Sequence, residues 1–259
     1  MGLDAHAPGD RASVARKGRT RRLRKSLLLL RRPAWRRAAR SGVAAAVEHR
    51  DVPFGPRFAT IIDVGAHHGQ FSLLARDLYP GAHIVCVEPL PAAVDRLREV
   101  HAGDERVTIV PFAAAGADGR RNLHVSRKTD SSSLLPILKP YVDAFPGTEE
   151  EGTIEVDVRP LDLLLSQELG RAALLKIDVQ GGELEVLRGA AGLLSRVEAA
   201  FVECSFVEFY AGQALADEVI GAFLLHGLRL DGVYSVVRDG SGRCLQADLL
   251  FRRPGEVRR

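Results

Sequence analysis

The chain has 259 residues, 46% hydrophobic and 27% charged, close to globular averages, which excludes wholesale disorder, a collagen-like repeat and a membrane-embedded bundle. Its net charge of +3 is uneven: residues 1–40 carry 13 Lys and Arg against two acids, a net of +11, which leaves −8 on the rest. No apolar run approaches the roughly 20 residues that a bilayer-spanning helix needs. The four leucines at 27–30 are walled in by Arg24, Lys25, Arg31 and Arg32, so they offer no apolar core for an export signal. Residues 1–41 therefore read as a basic, solvated and disordered N-terminal arm, and 42–259 as one catalytic-sized domain. Cys86, Cys204 and Cys244 are far apart, odd in number and without zinc spacing, which points to a reducing, cytoplasmic location.

From about Ala59 apolar strands alternate with amphipathic helices. Thr60-Ile61-Ile62-Asp63-Val64 is a β-branched run ended by Gly65. A helix follows with Phe71, Leu74, Ala75 and Leu78 at i, i+3, i+4 and i+7, stopped by Tyr79-Pro80-Gly81. His83-Ile84-Val85-Cys86-Val87 is a second buried strand, closing on Glu88-Pro89, and the next helix starts near Pro91 and presents Val94, Leu97 and His101. Val107-Thr108-Ile109-Val110 is a third. Strands separated by helices of about 10 to 15 residues predict right-handed crossovers and a parallel sheet. The pattern breaks after Ala115. Residues 116–119 read as a turn, 122–125 and 153–158 as short strands, and 130–152 as a polar excursion with three prolines, the kind of insertion that forms a lid or binding loop. Regularity resumes with a strand over 174–179, a helix over 182–194, a strand over 199–204 and a helix over 215–226. Two strands over 228–237 and 245–252 then pair through Arg238-Asp239-Gly240-Ser241-Gly242, a hairpin that ends the sheet antiparallel.

In such a sheet ligands bind beyond the carboxyl ends of the strands, where strand order reverses. The first strand end reads Asp63-Val64-Gly65-Ala66-His67-His68-Gly69-Gln70-Phe71-Ser72. Where a dinucleotide fingerprint needs its second glycine, to let backbone approach a pyrophosphate, stands His67. That argues for a smaller charged ligand against the turn from Gly65 to Gly69. Glu88, 23 residues after Gly65, is placed to accept hydrogen bonds from ribose hydroxyls. Ribose without pyrophosphate is what S-adenosylmethionine presents. The fourth strand ends in Lys176-Ile177-Asp178-Val179-Gln180-Gly181-Gly182-Glu183-Leu184-Glu185. Lys176 and Asp178 share a strand face, and Glu183 and Glu185 fall in a helix first turn, where the dipole favours acids. Asp178, the last acid before the turn, is the candidate functional carboxylate. The fifth strand ends similarly in Glu203-Cys204-Ser205.

The segments 62–72, Val87-Glu88-Pro89 and above all 175–190, with Leu161-Asp162 ahead and Val202-Glu203 behind, make the chain resemble the FkbM family of S-adenosylmethionine-dependent methyltransferases over roughly residues 42–252. The resemblance implies an α/β, Rossmann-like methyltransferase fold: a mostly parallel seven-stranded sheet of order 3-2-1-4-5-7-6, the last strand antiparallel, with helices on both faces. It implies cofactor contacts from Asp63, Gly65, Ala66, His67, Gly69 and Phe71 on the first strand and turn. Glu88, Pro89, Ala113 and Asp178 complete that set. The acceptor it implies is a small molecule or glycan with a free hydroxyl, such as a sugar, glycolipid or polyketide-type product.

Methyl transfer from a sulfonium is an in-line displacement, accelerated by alignment and desolvation of the nucleophile. Asp178 is the candidate base or acceptor-orienting residue, assisted by Glu203 or Lys176. In an alternative, Asp178 and Glu203 hold Mg²⁺ that acidifies the hydroxyl. The competing readings are a nicotinamide oxidoreductase, against which His67 counts, and an RNA- or nucleic-acid-directed methyltransferase or binding protein recruited through the arm. The acidic body weighs against a stable nucleic-acid complex. Peripheral contact of the arm with an anionic membrane is the remaining expectation for it, and the sequence leaves the oligomeric state undefined.

Overall fold

The computed structural model describes residues 32–165 and 173–255. Residues 1–31 of the expected arm, including the leucines at 27–30, lie outside the described residues. Three strands, β1 (Thr60–Val64), β2 (His83–Val87) and β3 (Val107–Val110), fall where the β-branched runs place them. They alternate with α2 (Gln70–Leu78) and α3 (Pro91–Val100), which α1 (Pro33–Arg40) precedes. After the insertion come β7 (Ala173–Ile177), α6 (Glu183–Arg188), α7 (Ala191–Leu194), β8 (Val197–Ser205), α8 (Ala216–Leu225), β9 (Arg229–Arg238) and β10 (Cys244–Arg252). The main sheet has the order β3-β2-β1-β7-β8-β10-β9. β10 runs antiparallel to both β8 and β9, and the remaining pairs are parallel. This is the expected Rossmann-like methyltransferase topology. Helices cover both faces: Leu187 and Phe223 pack with Ile62 and Leu175 on one side, while Phe71, Ala75 and Leu97 pack with Ile61 and Phe201 on the other. Strand order reverses between β1 and β7, so the crevice opens where Val64 and Ile177 end their strands side by side.

The insertion is an ordered structure. Its flanks form a second sheet of order β4-β6-β5, from β4 (Ala113–Ala114), β5 (Gly119–Ser126) and β6 (Glu150–Arg159), longer than the short strands the sequence suggests. The polar excursion between them holds a 3₁₀ turn at Thr129–Ser131 and α4 (Lys139–Ala144). It is pinned onto the loops after β7 and β8: Ser133 Oγ donates to Gln180 O at 2.7 Å, and Leu138 N–H to Phe209 O at 2.9 Å. Tyr141, Phe209 and Tyr210 form a small aromatic core beneath it.

Two expectations need correction. The single helix over 182–194 is broken into α6 and α7 around Gly189. A side chain there would run into the carbonyl oxygen of Ala115 on the neighbouring segment. α7 is then capped from outside, by the Asp162 carboxylate accepting from Gly192 and Leu193 N–H at 2.9 and 2.7 Å. Asp162, on α5 (Leu161–Leu164), is thus a structural member of the family pattern. The second correction concerns the boundary after residue 41. α1 presents Trp35, only 3% exposed, to Leu73, Leu74 and Val100, and its indole N–H donates to Leu73 O at 3.2 Å. Arg36, Arg37 and Arg40 point to solvent. An amphipathic helix with a buried Trp gains more from packing than its cations gain from remaining in a free arm, so residues 33–40 pack with the body.

Candidate active site

Gly65 joins the two halves of the site. It ends β1 with φ +72°, and an added Cβ would overlap the Asp178 carbonyl oxygen, so only glycine lets the turn after β1 lie against the end of β7. The Asp178 N–H donates to Val64 O at 3.0 Å and closes the seam. Lys176, on β7, reaches back over it: Nζ donates to Gly65 O at 3.0 Å and sits 3.3 Å from Asp63 Oδ1 and 3.5 Å from Asp178 Oδ2. Burial alone would pull the Lys176 ammonium down, but the carboxylates of Asp178, Asp63 and Glu203 outweigh it and hold it above its ordinary range. Lys176 thus brings a positive charge to the seam between Asp63 and Asp178. Burial raises the fully buried Asp63 carboxyl, against the pull of Lys176.

Glu88 ends β2 and is 6% exposed. One oxygen accepts from His67 N–H and the other from Leu90 N–H, both at 2.8 Å, which fixes the carboxylate while leaving lone pairs on each oxygen. Burial pushes it up to about 7, against those two donors. His67 adopts φ +46°, and its Nε2 lies 2.8 Å from Thr129 Oγ1, so the glycine turn grips the insertion. Burial holds the His67 imidazole down at about 4 and therefore neutral.

Two cavities meet here. The larger, about 310 Å³, runs along the strand ends and is lined by Gly65, His67, Glu88, Pro89, Ala113 and Asp178. The smaller, about 200 Å³, lies toward α2 and β8 and includes Ala66, Phe71, Lys176, Asp178 and Glu203. Gly65, His67, Asp130 and Asp178 line both, so Asp178 stands at their junction. Of the ten cofactor positions read from sequence, six line the larger cavity. Ala66 and Phe71 line only the smaller, where Phe71 also packs edge-on against Phe54 at 5.8 Å. Asp63 and Gly69 line neither, being committed to Lys176 and to the start of α2, respectively.

Asp178 and Glu203 come together through a residue that carried no role in the sequence reading. Gln180 Nε2 donates to Asp178 Oδ1 at 2.7 Å and to Glu203 Oε2 at 2.9 Å. Its Oε1 faces the phenols of Tyr210, at 2.8 Å, and Tyr141, at 3.3 Å. Carboxylates accept and phenols donate to an amide oxygen, so this surrounding fixes which way the amide points. Burial first, then the charges of Asp178, Asp248 and Glu183, push the Glu203 carboxyl well above its ordinary range. Among the described residues no three His, Cys, Asp or Glu side chains are grouped to hold a metal ion. Phe112, lining the larger cavity beside Ala113, was also missed, although an aromatic at the end of the third strand was a signal available in the sequence.

The methyltransferase FkbM domain model matches residues 63–230, more than half of the chain and the whole lining of the larger cavity. The chain belongs to the FkbM methyltransferase family. Among relatives, 2-O-methyltransferase NoeI of Sinorhizobium fredii is 29% identical over 160 residues, 59% of this chain and 66% of its own length. Methyltransferase 1 of Beauveria bassiana is 30% identical over 155 residues, 54% of this chain and 61% of its own length. The chain thus spans just under two thirds of these relatives. Among solved structures, Aeropyrum pernix fibrillarin in complex with natively bound S-adenosyl-L-methionine aligns with TM-score 0.46 and 12% identity, covering 80% of this chain and 72% of that one. In this FkbM domain, the signature block from Lys176 onward builds the wall between the two cavities.

Proposed function

We propose that this FkbM protein transfers a methyl group from S-adenosylmethionine to a hydroxyl oxygen of a sugar, glycolipid or polyketide-type acceptor. The observation that carries the reading is Asp178 at the junction of the two cavities, beside a glycine turn and a buried strand-end carboxylate. The residues suit the cofactor. Glu88 offers lone pairs to a pair of vicinal hydroxyls, and the larger cavity extends from it to Asp178. His67 fills the space a pyrophosphate would need. When bound, S-adenosylmethionine supplies an electrophilic methyl carbon on a sulfonium.

The chain's own residues do the rest. Asp178 has one oxygen engaged by Gln180 and 36% of its side chain exposed toward the junction. Its carboxylate is placed to accept the proton of an acceptor hydroxyl brought to the junction, which would free that oxygen as the nucleophile toward a methyl group the cofactor would supply. Lys176 keeps Asp178 in place and compensates its charge. The insertion, clamped by His67 and Ser133, walls off water from the larger cavity. Isothermal titration with S-adenosylmethionine and NAD⁺ side by side tests the reading: binding of the first at micromolar strength and none of the second is expected, and the reverse result overturns it.

A further inference from the structure

We propose that Gln180 is a positioning residue, an amide yoke that holds Asp178 and Glu203 together in the place of a bridging cation and aims Asp178 at the cavity junction. The inference rests on the methyl-transfer reading only in giving Asp178 a proton to accept. It stands on the four contacts around one side chain. Two carboxylates at the ends of adjacent strands repel one another unless something positive or hydrogen-donating lies between them. Here both Nε2 hydrogens are spent on that task, one on Asp178 and one on Glu203. The position that a divalent ion would need is occupied by an N–H₂ group, which can only donate. The amide oxygen faces the phenols of Tyr210, at 2.8 Å, and Tyr141, at 3.3 Å, which also reach Ser131 O and Ser131 Oγ, and Tyr210 is fully buried, so the acceptors lie on the N–H₂ side and the donors on the oxygen side.

The backbone is shaped to deliver this side chain. Gln180 adopts φ +56°, a left-handed conformation uncommon for a residue with a Cβ, and Gly181 follows at φ +98°. These two residues fold the chain back, so Gln180 points between the strand ends. The insertion then locks the turn from above, with Ser133 Oγ on the Gln180 carbonyl. From behind, Gln246 Nε2 approaches Glu203 Oε2 at 3.4 Å and Ser205 Oγ at 3.3 Å, bracing the carboxylate farther from the cofactor cavity. Asp178 is left with one oxygen tied and the other beside Lys176, open to the junction.

The test uses the full chain labelled with ¹⁵N-glutamine, the Gln180 side-chain amide being assigned by its loss in Gln180→Leu. Both amide protons are expected to be protected from solvent exchange in the wild type. Tyr210→Phe keeps the ring but frees the amide, and Asp178→Ala removes one acceptor; each should speed exchange by about tenfold or more, as loss of a buried hydrogen bond requires. Gln180→Glu places a third carboxylate at the centre, so it should gain saturable Mn²⁺ binding that the wild type lacks, and Asp178→Ala in that background should abolish it. Freely exchanging Gln180 protons in the wild type, or wild-type Mn²⁺ binding that broadens those resonances, overturns the proposal. The two readings fail separately: a protected amide in a protein that does not bind S-adenosylmethionine supports the yoke and sinks methyl transfer, whereas cofactor binding with an unprotected amide sinks the yoke alone.

Discussion

Glu88 should make cofactor affinity depend on pH. Burial lifts its carboxyl from 4.5 to about 7, against the lowering effect of the Leu90 and His67 N–H donors. Ribose hydroxyls are held best by the ionised carboxylate, so binding must first displace the proton that burial retains. With a carboxyl at about 7, roughly one molecule in eleven is ionised at pH 6 and ten in eleven at pH 8, so affinity should rise about tenfold, ~1.4 kcal/mol, across that interval. Titration with S-adenosylhomocysteine in buffers of different ionisation heat should report release of nearly one proton at pH 6 and almost none at pH 8. Glu88→Gln should flatten the profile and weaken binding at pH 8 by about 1.5 to 3 kcal/mol, because an amide sets its own N–H₂ against one of the two backbone donors. The same linkage acts on folding with a definite sign. Between about 4.5 and 7 the folded protein holds a proton on Glu88 that the unfolded chain has lost, so the Glu88 contribution to ligand-free stability falls as pH rises through that window, opposite in sign to the contributions of His67 and His101, whose imidazoles burial holds down at about 4. Glu183, pushed up to about 7 by burial, adds to the same trend. Unchanged affinity in Glu88→Gln at pH 8 would refute the ribose assignment, whereas flat wild-type affinity between pH 6 and 8 with no proton exchanged would refute only the titration of Glu88 in that interval.

Three further outcomes are expected. Asp178→Asn should lower turnover by roughly 10²- to 10⁴-fold while cofactor affinity, measured by calorimetry, stays nearly unchanged; near-normal turnover on the true acceptor would leave methyl transfer here to proximity alone. Gly65→Ala should be strongly destabilising in thermal melts and should abolish cofactor binding, because it adds a Cβ at φ +72° directly against the Asp178 carbonyl. Trp35→Ala should cost about 3 to 5 kcal/mol in urea unfolding, and a loss under about 1 kcal/mol would show that α1 contributes little packing to the body.

What the sequence made legible follows from where the information lies. β1, β2 and β3 are short and rich in β-branched residues, the first two also buried, so local composition marks their ends to the residue. Gly65, Glu88 and Asp178 were legible because topology puts them at strand ends bordering the switch point, which a sequence of alternating strands and helices already implies. The break at Gly189 was not, because its cause is the Ala115 carbonyl on a different segment. The docking of Trp35 was hidden by the cations around it, since charge counts say nothing about which face of a helix they occupy. Gln180 was given no role in its motif for a similar reason: the residues that face its amide oxygen are Tyr210, 30 positions later, and Tyr141, 39 positions earlier, the latter inside a segment with no regular periodicity.

The two departures from ordinary backbone geometry in this crevice point the same way. His67 and Gln180 are left-handed without being glycine, and each stands in the turn that follows a strand flanking the switch point, β1 for one and β7 for the other. Such conformations cost about 1 to 3 kcal/mol each and persist only where surrounding contacts over-determine them. Here the contacts are visible: the His67 ring is held by Thr129 and its N–H by Glu88, while the Gln180 amide is held by two carboxylates and two phenols. Both residues also touch the insertion, His67 through Thr129 and Gln180 through Ser133. The strain on the sheet side and the order of the insertion therefore depend on one another. Loosening either turn should free the wall of the larger cavity, because the insertion that lines it is anchored to both.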